Sequence, residues 1–224
     1  MTERPPTGSR RGPAASAARR HPILAGTVAG YLVVGVSFGL ATGARLTVPY
    51  GLIVGVLALA VARADERVRF SDTVLVGLAL WGLGHLVGGL VQLDHDRILY
   101  NAVVARWIHF DNVVHAVGFG TAGIACWEAT RSWLPAGPGH RLGRATVVAL
   151  MGMGVGAFNE VVEFALTHLL AQTAIGGYEN TGRDLVANLL GCVVAGWVVS
   201  RRPEPAPPSR PRAAPGSGRP ARSA

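Results

Sequence analysis

Six apolar blocks alternate with short polar segments along the chain: Pro22–Gly43, Val48–Ala62, Thr73–Leu93, Ile108–Trp127, Ala145–Leu170 and Gly182–Ser200. Most approach the ~20 residues that an α-helix needs to cross ~30 Å of hydrocarbon. The composition agrees, with a mean hydropathy of +0.34, 50% apolar residues and only 15% charged ones. The blocks therefore predict an all-α fold, a polytopic membrane helix bundle of about six transmembrane helices occupying residues 22–200. Val48–Ala62 is short for a span, so thinning of the bilayer or tilting against neighbours is expected there. Pro22–Gly43 exceeds the ~7 to 15 apolar residues of a signal-peptide core and is followed by further spans, so it reads as a retained first span.

The formal charge of +8 comes from 21 Arg and no Lys. These Arg lie in tails and short loops, not in a stripe interleaved with aromatics, which argues against a nucleic-acid partner and for membrane lipids. With both termini cytoplasmic, 17 Arg fall on the inner side and four, Arg45, Arg97, Arg106 and Arg183, on the outer side. That asymmetry favours six spans running inside to inside. Residues 1–21 and 201–224 are rich in Arg, Pro, Ser and Ala without apolar periodicity, and are expected to be disordered tails. Cys126 and Cys192 fall at different depths, ~27 and ~15 Å from the outer boundary at 1.5 Å per residue, so a disulfide is not expected.

Against this apolar background, Arg106–Gly120 is exceptional, reading R-W-I-H-F-D-N-V-V-H-A-V-G-F-G. Asp111 and His115 stand four residues apart and share a helical face. Ionisable groups in hydrocarbon cost several kcal/mol on insertion scales, so they normally face the protein interior and serve a function there. Glu160 with Glu163 and Asp184 with Asn188 form similar one-face pairs on the fifth and sixth spans, and His85 sits on the third. At 1.5 Å per residue all of these lie within ~15 Å of the outer ends of their spans. Four helices thus place polar side chains in one half of the bundle, and carboxylates that converge at low dielectric require protons, Arg, His or a metal as compensation. Arg106 and Arg183, at outer span ends, are the expected cationic partners.

Four motifs carry a resemblance: H-x-x-G-G from His85, F-D-N-x-x-H from Phe110 to His115, N-E-x-x-E from Asn159 to Glu163, and D-x-x-x-N-x-x-G from Asp184 to Gly191. In this order the chain resembles the YjdF-like family of bacterial inner-membrane proteins, itself of unknown function. The resemblance covers roughly residues 73–200 and implies a fold and a bacterial cytoplasmic-membrane location, not an activity. The last motif is also similar to one in VanZ-like proteins, known for a role in resistance to teicoplanin-type antibiotics. The family pattern usually has Tyr-Asp-Arg where this chain has Phe110-Asp111-Asn112, so a role for that Tyr hydroxyl or Arg charge is absent here.

Chemically, two His and several carboxylates suit a divalent metal such as Zn, Mn or Fe, and the helical spacings match those of metal sites in bundles. A hydrolase or transferase acting on a lipid-linked or small-molecule envelope substrate would use Asp111, His115, Glu160, Glu163 and Asp184 as acid, base or metal ligands. His85, Arg106, Arg183 and Asn188 would then contact substrate. Alternatives are a proton-coupled transporter, a haem held by His85 and His115, and a non-catalytic scaffold whose polar groups join helices. Trp81, Trp107, Trp127, Trp133 and Trp197 read as interfacial anchors, and His109 and His168 as solvated.

Overall fold

The computed structural model describes residues 12–94, 97–133, 141–169 and 176–202. The expected tails over 1–11 and 203–224 lie outside the described residues, as do His95, Asp96 and His140. The described chain is helical, apart from one small hairpin. A short helix α1 (Pro13–Arg20) precedes α2 (Pro22–Thr42), α3 (Thr47–Val68), α4 (Asp72–Leu90), α5 (Phe110–Thr130), α6 (Arg141–Leu169) and α7 (Tyr178–Arg201). Five of these, α2, α3, α4, α6 and α7, are long and apolar enough to cross a membrane. The sixth expected span, α5, carries too many polar groups to reach that measure. It is also the helix packed among α4, α6 and α7, so its polar face meets protein.

Close packing of α5, α6 and α7 rests on side chains that are missing. A Cβ at Gly120 would come within 2.8 Å of the Gly191 carbonyl oxygen, and one at Gly123 within 2.8 Å of the Val148 carbonyl oxygen. Such small residues let helix backbones touch in a medium where hydrophobic exclusion contributes nothing between helices. Val74, Ile124, Val148, Ala195 and Val199 fill the contact beneath. By contrast α2 buries little, and Val33, Val34 and Leu40 are more than 60% exposed, a surface suited to lipid.

Three expectations need correction. The second span does not stop at Ala62, because α3 continues through the polar run to Val68. Nor is the first tail unstructured as far as His21: Pro at the first helical turn, a run of Ala and terminal Arg19 and Arg20 suit the helix α1. The two departures meet in one contact. Arg20 Nη2 lies 2.9 Å from Asp65 Oδ2 and its Nη1 donates to the Asp65 carbonyl, while Asp65 Oδ1 accepts from Phe70 N at 2.9 Å. Asp65 is only 2% exposed, so Asp65→Ala is expected to lower stability by about 3 kcal/mol, the loss typical of breaking a buried ion pair. Thermal unfolding in detergent measures this, and Arg63→Ala on the exposed neighbouring pair is the neutral control.

Finally, Trp81 is no interfacial anchor. It lies mid-helix on α4 and packs inward, edge-on to Phe119 with centroids 5.1 Å apart. A second clasp at the same end as Asp65 holds Glu128, whose carboxylate accepts from Ser71 N at 2.8 Å, Ser71 Oγ at 2.7 Å and Arg202 Nη1 at 3.2 Å.

Candidate functional site

The opposite end of the bundle collects the start of α5, the end of α6 and the start of α7. A hairpin of Val103–Ala105 (β1) and Ile108–His109 (β2) leads into α5, with Arg106 in its turn at a left-handed φ of 46°. Asn112 then fixes the helix start in two directions. Its Oδ1 accepts from His109 N at 2.9 Å, which satisfies a donor that every helix N-terminus leaves open. Its Nδ2 donates to Asp184 Oδ1 at 2.9 Å. Asp184 is fully buried, and its other oxygen accepts from Asn180 Nδ2 at 2.6 Å, so two amides hold this carboxylate in place.

His115 is the centre of the site and is 3% exposed. Its Nδ1 stands 3.2 Å from Asn188 Oδ1, and its Nε2 stands 3.7 Å from Asp111 Oδ1. Donation from Nδ1–H to Asn188 leaves the Nε2 lone pair facing the aspartates, the arrangement that orients a metal-binding imidazole. Phe119 meets the ring edge-on at 5.3 Å and fixes its tilt. Across the ring, Glu160 Oε1 lies 3.7 Å from His115 Nδ1, and Glu163 Oε1 accepts from Asn159 Nδ2 at 2.7 Å.

Two sets of ligand atoms result, each gathered within 4.8 Å: Asp111, His115 and Asp184, and His115, Glu160 and Glu163. Glu160 is the anomaly. It is 7% exposed, yet neither carboxylate oxygen finds a hydrogen bond among the described residues. A buried carboxylate whose charge partner is an imidazole 3.7 Å away is costly to keep ionised, so a proton or a cation beside it would relieve the cost.

Of the residues expected to act, the structure brings together Asp111, His115, Glu160, Glu163, Asp184 and Asn188. Of the two arginines it brings in Arg183, whose charge acts on the neighbouring Asp184, and not Arg106. Arg106 is exposed in the hairpin turn and makes no ion pair among the described residues. Arg183 pairs with Glu179, one turn back, and donates from Nη1 to His109 Nδ1 at 3.2 Å, so His109 is a partner and not merely solvated. His85 packs against Tyr100 and Trp81, with its Nδ1 2.5 Å from the Tyr100 hydroxyl. Asn112, Asn159 and Asn180 each donate to a site carboxylate, and the first two lie inside the motifs that carry the family resemblance.

The sequence profile of DUF2238, a family described as predicted membrane protein, matches residues 23–204. The chain belongs to this family, which is the YjdF-like one. No curated protein and no solved structure shows significant similarity to it. The VanZ-like likeness of the last span draws no support from these comparisons.

Proposed function

We propose that this DUF2238 protein binds one divalent cation of the Zn, Mn or Fe type through Asp111, His115 Nε2 and Asp184. On this reading it hydrolyses or transfers a group on a lipid-linked substrate at the outer face of the bacterial cytoplasmic membrane. The observation that carries the reading is the convergence of Asp111, His115 and Asp184, one ligand atom of each lying within 4.8 Å of the others and Asp111 Oδ1 standing 3.7 Å from His115 Nε2. One nitrogen and two carboxylate oxygens are donors that suit these ions. Such an ion polarises a substrate oxygen and acidifies a bound water. The residues supply the rest: Asn188, Asn112 and Asn180 orient the ligands, while Glu160 and Glu163 take up and return the proton of the attacking water. A proton-coupled transporter would put its carboxylates near mid-bilayer. Here Asp111 is in the first turn of α5 and Asp184 in the second of α7.

Metal titration of the purified protein tests the reading. One equivalent of ion is expected in the parent and in Glu163→Gln, and none in Asp111→Asn at the same concentration. A parent that stays metal-free, or an Asp111→Asn variant that binds equally, would refute it.

The outer-face assignment rests on the Arg asymmetry and has its own test. Reporter fusions are expected to be cytoplasmic at Ala136 and external at Gly177. The opposite pattern moves the site to the inner face.

A further inference from the structure

The second ligand set, His115 with Glu160 and Glu163, has a hydrogen-bond donor beside it. Asn188 is fully buried, and its Oδ1 stands 3.2 Å from His115 Nδ1. Glu160 Oε1 stands 3.7 Å from the same nitrogen, so both side chains converge on the edge of the ring opposite the Nε2 that faces Asp111. With its oxygen turned to the imidazole, Asn188 rests Nδ2 on α6, where a Cβ at Gly156 would come within 2.7 Å of it. Gly156 lies one helical turn before Glu160. A helical side chain leans back toward the N-terminus, so Glu160 reaches over the turn on which the amide rests. Yet Asn188 Nδ2 finds no acceptor and the Glu160 oxygens no donor among the described residues, and Asn159 and Thr181 approach Glu160 without closing a hydrogen bond.

Leaving a buried donor and a buried acceptor open is costly, and one small group that serves both is the way protein interiors resolve it. The chemistry of that group is narrow. A second metal ion is opposed by the amide hydrogens, and the Nδ1 it would need already carries the proton given to Asn188 Oδ1. An anion is opposed by Glu160 and Glu163. What fits is a neutral group that accepts from Asn188 Nδ2 and donates to Glu160, which is a hydroxyl.

Resting on the cation reading for the Nε2 side of the ring, we infer that the Nδ1 side holds a hydroxyl, of water or of an acceptor alcohol, between Asn188 Nδ2 and the Glu160 carboxylate. The hydroxyl proton passes to a Glu160 oxygen, and the electron pair of the broken O–H bond stays on the hydroxyl oxygen. Asn188 Nδ2 donates to that oxygen as its charge grows. Asn188 thus orients the imidazole with one end of its amide and the nucleophile with the other.

A structure of the full Zn²⁺-loaded chain, at a resolution that shows ordered water and with anomalous scattering at the zinc edge, tests this. Expected are one anomalous peak, on the Nε2 side, and a non-anomalous peak within hydrogen-bond distance of both Asn188 Nδ2 and Glu160. An isolated peak identifies water and one continuous with a larger molecule identifies an alcohol, and either supports the inference. Glu160→Leu is expected to lose that peak while one equivalent of Zn²⁺ stays bound in solution. Glu160→Gln, which still offers an acceptor oxygen, is expected to keep both. A second anomalous peak among His115, Glu160 and Glu163, direct contact of Asn188 Nδ2 with Glu160, or a bridging peak that survives Glu160→Leu overturns the inference and leaves the cation reading standing. A chain that takes no Zn²⁺ but shows the bridging peak overturns the cation reading and leaves this one.

Discussion

His115→Ala is expected to weaken divalent-metal binding by more than about 100-fold. The imidazole is the sole nitrogen in both sets of converging ligand atoms, and no cysteine approaches either set. Losing an outer partner of a metal ligand already costs about 10- to 100-fold, so losing the ligand itself must cost more. Asn188→Leu is the graded companion. It removes the oxygen 3.2 Å from His115 Nδ1 without touching Nε2, and is expected to fall within that 10- to 100-fold range. Competition against a fluorescent chelator in detergent measures both. If Asn188→Leu proved as damaging as His115→Ala, the amide would be holding the fold and not orienting the ring.

Gly191→Ala is expected to lower stability as much as Asp65→Ala. A Cβ at this position would lie 2.6 Å from the Ala116 carbonyl carbon and 2.8 Å from its Cα, and closer still to the carbonyl oxygen. These are backbone atoms in the middle of α5, which cannot swing aside as a flexible side chain would, so the helices must separate. Overpacking of this kind costs about 3 kcal/mol, the upper end of its usual range. The separation also pulls Asn112 from Asp184 and His115 from Asn188, contacts that join the same two helices. Metal affinity is therefore expected to fall together with the thermal midpoint. Gly154→Ala is the control, since nothing lies within 4 Å of its Cβ position, and its effect is expected to stay under about 1 kcal/mol. Equal stability of the two variants would show that α5 and α7 do not need their backbone contact.

The helices were legible because hydrocarbon demands long apolar runs, and the spacing of Asp111 with His115 and of Asp184 with Asn188 exposed their shared faces. What escaped were partners that look unremarkable in sequence. Asn112, Asn159 and Asn180 are neutral amides that any polar turn could hold, and only the fold shows that each faces a carboxylate. Tyr100 sits in a polar loop without periodicity and reaches His85 because the chain turns back after α4. In sequence Asp65 stands in a charged run between Arg63 and Arg67. Its real partner, Arg20, is 45 residues away, a contact that no local pattern encodes. Arg106 illustrates the opposite error. Position at a span end suggested pairing with the site, but the hairpin turn carries it away.

The claim that Asp111, His115 and Asp184 hold a cation is tested most directly by X-ray absorption at the zinc edge of the Zn²⁺-loaded protein. One imidazole nitrogen among oxygen donors, all at about 2.0–2.2 Å, is the expected first shell. Sulfur scattering near 2.3 Å, two imidazoles, or oxygen donors alone would contradict it.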